Sequence, residues 1–177
     1  SLRARIIDMQ LVPDATLGRS ELAQEYGVSQ TPMREALQRL EEDGLVRIFP
    51  QSKTVVARID EAQLKEVHFL RVAIETEVAR RMAEKGDMAA LKRARSFVRM
   101  QEALQDDPSQ MLLFNELDRA FHLTLFETVG VPALHAMLAR RLGHLSRCQR
   151  LELPRKGKMS EIIHGHLAVV EGIASGN

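Results

Sequence analysis

The stretch Gly27-Val28-Ser29-Gln30-Thr31-Pro32-Met33-Arg34-Glu35-Ala36-Leu37 decides how the first third of the chain is read. Its glycine can take a positive φ in a tight turn. Ser29 or Thr31 can then cap a helix whose first turn tolerates Pro32. Met33, Ala36, Leu37 and Leu40 recur at three- and four-residue spacing, so a helix running to about Asp43 has one apolar face, and Gly44 ends it. Upstream, Ser20 to Tyr26 predicts a short helix with Leu22, Ala23 and Tyr26 inward, and Val28 is expected to plug the core beneath the turn. Residues 2–9 predict another short amphipathic helix, closed by Pro13. Downstream, residues 45–49 and 54–58 are β-branched runs on either side of Pro50-Gln51-Ser52-Lys53, a hairpin whose turn lacks glycine. Helix, helix–turn–helix and hairpin, in that order, predict a winged helix-turn-helix.

From Asp60 onward strand signals stop. Helical periods run over about 61–85, 89–105, 109–128, 132–150 and 159–174, separated by Gly- and Pro-containing breaks. The fold class read here is mainly α: a winged helix with a small β-hairpin wing over residues 1–59, then an all-helical bundle over 60–177. Composition agrees, because aromatics are 4% of 177 residues and the apolar mass is aliphatic, which suits helix-on-helix packing. A lone cysteine, Cys148, excludes an internal disulfide framework. No run approaches the roughly 18 apolar residues that cross a bilayer, and no signal peptide is visible, so a soluble cytoplasmic protein without a membrane partner is expected.

In a helix-turn-helix the second helix enters the major groove and its N-terminal side chains reach base edges. Ser29, Gln30, Thr31 and Arg34 hold that end. Hydroxyls and open backbone N–H groups suit phosphate oxygens, Arg34 suits guanine and Gln30 suits adenine. Lys53, at the hairpin tip, could meet a phosphate or the minor groove. Residues 1–60 carry eight Lys/Arg against nine Asp/Glu, so a DNA-binding reading rests on where the cations sit, not on their sum. The acidic run Glu41-Glu42-Asp43 lies at the far end of the helix. A helical bundle with a solvated polar face, or a protein-interaction module, fits the same spacing.

The motifs Leu2-Arg3-x-x-Ile6, Pro13-x-x-x-Leu17, Glu21-Leu22-Ala23, Gly27 to Leu37, and Leu40-x-x-x-Gly44-Leu45-Val46 together resemble the N-terminal domain of GntR-family regulators. The resemblance implies a double-stranded, palindromic operator, a homodimer, and Arg34 as a DNA-contacting arginine. Two positions depart from the family pattern: Gln30 stands where arginine is frequent, and Ser52-Lys53 where an Arg-Gly wing tip is usual.

In residues 109–128, Phe114, Asp118, Phe121, His122 and Leu125 share one helical face, which turns an aspartate and a histidine at i, i+4 inward. A carboxylate among Phe and Leu is costly unless it is paired or coordinated. His166 shares a face with Ile162, Val169, Val170 and Ile173, whereas His164 does not. A buried Asp–His hydrogen bond and a metal site both satisfy this pattern. Arg71 lies on the face of Val67, Ile74 and Val78, where it could fork a carboxylate or pair with Glu75. Most of the cluster Arg140, Arg141, His144 and Arg147 is expected to be solvated or interfacial, His68 and His135 to be ordinary, and the basic loop of residues 155–158 to be exposed.

Residues 61–177 resemble the FCD domain of the FadR subfamily, through Arg71-x-x-x-Glu75, Asp118-x-x-Phe121-His122 and His166-Leu167-Ala168-x-x-x-x-Ile173. That resemblance implies a divalent metal, with Zn²⁺ suited to N/O ligands and Ni²⁺ or Mn²⁺ as alternatives. Its ligands would be Asp118, His122 and His166, with a fourth histidine on a further helix beyond Asn177. It also implies a small organic acid effector, held by Arg71, that modulates operator affinity. The rival from another class is a metal-dependent hydrolase or lyase using Asp118, His122 and His166, which would need a general base that no second motif supplies.

Overall fold

The turn at Gly27 forms as its sequence requires. In the computed structural model, which describes residues 1–155 and 157–176, Gly27 sits at φ +62°. The Val28 N–H donates to Ala23 O at 2.9 Å and closes the turn. The chain divides into two compact units, one built from Ser1–Val67 with Arg140–Arg150, the other from His68–Ala139 and the residues from Leu151 onward.

The first unit contains helices α1 (Leu2–Ile7), α2 (Arg19–Glu25) and α3 (Gln30–Glu42) and strands β1 (Thr16–Leu17), β2 (Val46–Ile48) and β3 (Thr54–Val56). The expected hairpin pairs Arg47 with Val55 and gains an outer strand, since Leu17 pairs with Thr54 and gives the sheet order β1-β3-β2. A two-residue strand leaves no alternation to read, so β1 was invisible in the sequence. The hairpin turn does without glycine because Gln51 itself takes the left-handed conformation, at φ +55°. Met33, Leu37 and Leu40 on α3 pack with Leu22 and Ala23 of α2 and Ile6 of α1. Tyr26, Val28 and Ala36 are exposed, contrary to expectation. α2 stops at Glu25, so Tyr26 lies beyond its helical register, and the turn uses the backbone of Val28 rather than its side chain. Ala36 falls outside the stripe that Met33, Leu37 and Leu40 define.

The helix expected over 132–150 is in fact two, α7 (Pro132–Arg141) and α8 (Gly143–Glu152), broken at Leu142. α8 packs in the first unit, and Gly143 is what lets it approach: a Cβ there would stand 2.7 Å from Leu45 Cδ2. His144 and Arg147 are buried, not solvated. The Arg147 guanidinium donates through Nη1 to Ala57 O at 2.6 Å and through Nη2 to His144 Nδ1 at 2.9 Å. The Asp60 N–H donates to the same Nδ1 at 3.1 Å. Arg140 and Arg141 remain exposed.

α4 (Glu61–Lys85) begins in the first unit and continues in the second, which also holds α5 (Met88–Glu102), most of α7, α6 (Met111–Thr128) and α9 (Lys158–Ser175). Asp87 caps α5 by accepting from Ala90 N at 2.9 Å. α5 packs against α6 and α9, burying Ala94 and Val98 with Phe114, Phe121, Ile163 and Val170. Each fully buried phenylalanine contributes about 1.5–3 kcal/mol. Arg155 is exposed as expected, while Lys156, in the same loop, and Asn177 lie outside the described residues.

Candidate nucleic-acid interface and metal centre

Ser29, Gln30, Thr31, Arg34 and Lys53 are all exposed. Ser29 occupies the N-cap of α3, yet its side chain makes no capping hydrogen bond. Its hydroxyl and the first N–H groups of α3 are therefore open to an anion. Several of the acids in residues 1–60 are held by local partners. Arg3 pairs with Asp43 at 2.5 Å, Arg5 with Glu25 at 2.7 Å and Arg58 with Asp14 at 2.8 Å. Glu41 accepts from Ile48 N at 2.7 Å. Among the described residues Arg34 has no ion-pair partner, and Lys53 meets only the Phe49 ring, 5.9 Å from its centroid. Residues 1–60, with nine acids against eight bases, thus still present cations without an ion-pair partner beside an open helix terminus.

In the second unit Asp118, His122 and His166 offer ligand atoms that all lie within 4.8 Å of one another. α6 supplies the first two from one face, and α9 supplies the third across its inward stripe of Met159, Ile163, Val170 and Ile173. His164 is exposed, as its position predicts. Phe121 fixes the imidazoles, stacking on His166 at 4.2 Å and meeting His122 edge-on at 5.2 Å.

Hydrogen bonds settle which nitrogens face inward. Buried Gln101 directs its Nε2 toward Phe114 O at 3.5 Å, so its Oε1 faces His166 Nδ1 at 2.9 Å, and that nitrogen must carry the proton. His166 Nε2 then faces Asp118 Oδ1 at 3.3 Å. Two acceptors do not face each other stably, so a proton or a cation belongs between them. His122 Nδ1 faces Glu75 Oε1 at 3.3 Å, and its Nε2 accepts from Arg71 Nη2 at 3.0 Å. Both rings are thus anchored through Nδ1 by an outer acceptor, the arrangement that orients histidine ligands around a metal.

Burial works to raise the Asp118 carboxyl, but the His166 hydrogen bond and the charges of His122, His166 and Arg71 outweigh it and hold Asp118 below its usual value. Burial pushes His122 down, against the pull of Asp118 and Glu75. An ionised carboxylate beside a neutral imidazole is the protonation state a divalent cation requires. His135, half-buried against Phe126 at 5.3 Å, is also pushed down by burial.

Residues 1–56 match the gntR family of bacterial regulatory proteins, and residues 66–177 match the FCD domain. The chain belongs to the gntR family and carries an FCD domain. Its relatives include the uncharacterized HTH-type transcriptional regulator in an unstable DNA locus of Streptomyces ambofaciens, 31% identical over 99% of this chain and 73% of that protein. They also include the HTH-type transcriptional repressor RspR of Escherichia coli K12, 34% identical over 70% of this chain and 54% of that protein. E. coli McbR/YncC shares the fold, with a TM-score of 0.74 at 22% identity over 99% of this chain and 84% of that one.

The buried roles of three residues of this gntR-family regulator, Gln101, His144 and Arg147, escaped the sequence reading. Gln101 had a signal, as the one polar residue at core spacing behind Leu91, Ala94 and Val98. The buried His144–Arg147 pair had none, since α8 carries no apolar stripe to mark its inward face. Arg71 lies where its helical face placed it, partly buried, and makes both an ion pair with Glu75 at 3.0 Å and the bond to His122.

Proposed function

We propose that this gntR-family protein, placed in the FadR subfamily, is a regulator whose operator affinity is modulated by a small carboxylate effector bound beside a divalent metal. Residues 1–59 are the DNA-reading part and residues 60–177 the effector, metal and dimerisation part, with α8 carried in the first unit. Asp118, His122 and His166 would hold the metal, zinc being best suited to one oxygen and two nitrogen donors, with nickel or manganese as alternatives. The cation, when bound, supplies Lewis acidity and open positions for a carboxylate. Arg71 supplies a cationic donor to the same anion. The observation that carries this reading is the convergence of three ligand atoms within 4.8 Å, with both imidazoles oriented from behind.

On the output side, Ser29, Thr31 and the open α3 terminus take phosphates, Arg34 and Gln30 read bases, and Lys53 meets the backbone from the wing. Two subunits would place their α3 helices in successive major grooves of a palindromic operator. An effector that distinguishes the DNA-competent arrangement from others by about 1–3 kcal/mol shifts operator affinity roughly 5–150-fold. A cytoplasmic, nucleoid-associated place follows from this role; among the described residues no helix is long and apolar enough to cross a membrane.

The test is elemental analysis of gently purified protein beside the Asp118→Ala, His122→Ala double variant. Zinc or a similar metal should accompany the first and not the second, with helix content by circular dichroism unchanged. Equal metal content would remove this site. Arg34→Ala should weaken duplex binding about 5–150-fold, one base contact contributing roughly 1–3 kcal/mol.

A further inference from the structure

Arg71 holds the one nitrogen of His122 that a cation would need. A guanidinium only donates, so its 3.0 Å contact with Nε2 takes up that nitrogen's lone pair. The opposite edge of the ring is fixed by Glu75, whose Oε1 accepts from Arg71 Nε at 3.0 Å and faces His122 Nδ1 at 3.3 Å. Glu75 thus binds both partners while Arg71 covers the acceptor between them. An imidazole nitrogen has a single in-plane lone pair, which cannot serve a guanidinium and a metal ion together.

We propose that Arg71 is a plug on the metal centre, occupying His122 Nε2 until a cation and a carboxylate anion, bound together, displace it. The inference rests on the metal reading above and adds an order to it. A cation arriving alone must break the Arg71–His122 bond and leave a guanidinium facing a like charge with no acceptor for Nη2. A carboxylate removes both penalties, because it offers Nη2 a charged acceptor and lowers the local positive charge. Coupling of this kind is reciprocal, so each ligand raises the affinity of the other. The centre then answers to the pair and responds weakly to free metal.

The experiment titrates the full chain and its Arg71→Met variant with Zn²⁺ by calorimetry, first in a non-coordinating buffer and then with acetate added. Circular dichroism reports that the helices are intact, and Arg71→Gln is the second variant should Arg71→Met lose helical signal. Zn²⁺ alone should bind the variant about tenfold more tightly, the size of one charge-assisted hydrogen bond. Acetate should strengthen Zn²⁺ binding to the unaltered chain by a larger factor than to the variant, where the anion gains the metal's open position but has no plug to relieve. Equal affinities in the absence of acetate, or an acetate effect as large in the variant as in the unaltered chain, would overturn the plug while leaving the metal site standing. Failure of every chain to bind Zn²⁺ would overturn the metal reading and the plug with it.

Discussion

Acid should loosen the DNA-reading unit through a single residue. His144 is buried, and its Nδ1 accepts from both Asp60 N–H and Arg147 Nη2. Protonating Nδ1 would set an N–H against two donors and a second positive charge beside a buried guanidinium. Burial first, and the Arg147 charge second, therefore hold the imidazole below its ordinary 6.5. The sign of the pH effect follows. Above that value neither the folded nor the unfolded state protonates this ring. Below it the unfolded chain takes up a proton that the folded unit refuses, so stability falls as pH falls, at a rate that rises toward about 1.4 kcal/mol per pH unit until the folded-state value is approached.

The sequence itself supplies the assay. Tyr26 is the only tyrosine in a chain without tryptophan, and it belongs to the first unit. His144 is the only histidine of that unit, the other five lying in the second. Urea unfolding followed by tyrosine emission, with chelator present, thus reports on the unit whose one histidine is His144. Between about pH 6.5 and 5.5 the unaltered chain should lose up to about 1 kcal/mol, because the unfolded ring is already half protonated at about pH 6.5. In His144→Asn an amide oxygen can accept from the same donors without titrating, and the pH dependence should flatten. A slope that is the same in both chains would refute the assignment of His144 as a buried neutral acceptor.

The close approach of α8 makes Gly143→Ala costly, because the new methyl meets Leu45 Cδ2; a loss of about 1–3 kcal/mol should appear in the same tyrosine-detected unfolding. Gln101→Leu strips His166 Nδ1 of its acceptor and frees the ring to reorient, so Zn²⁺ affinity by calorimetry should drop about 10–100-fold with helix content preserved. On the output side, Lys53→Ala should reduce the slope of log affinity against log salt by about 0.9 in duplex titrations, one phosphate contact's worth, with no change in sequence preference.

The fold was legible wherever a helix buries an apolar stripe. Met33, Leu37 and Leu40 mark the inward face of α3, and Arg34 follows as outward; Phe114 and Phe121 do the same for α6 and carry Asp118 and His122 inward with them. His166 could be told from His164 because only one lies on the stripe of α9. What stayed hidden depends on approach between distant residues: the hold on His166 spans 65 positions to Gln101, and Arg147 reaches back 90 positions to Ala57.

α8 shows why that gap is physical rather than a matter of a weak pattern. Periodicity assumes that the buried side of a helix is its apolar side. On α8 the fully buried large side chain is an arginine and Leu151 stands exposed, so the rule points the wrong way. Burying a guanidinium is tolerable only where acceptors are already in place, and these are a strand-end carbonyl and an imidazole that itself accepts from the Asp60 backbone. None of these groups has a composition or spacing of its own. They become a site when α8 packs beside Leu45, which Gly143 permits. The same holds for Arg71, whose helical face gave its direction and whose role depends on meeting His122 and Glu75 at once. A single sequence therefore names the groups that can do chemistry, and the partners that decide whether each is an acceptor, a plug or a ligand emerge only from packing.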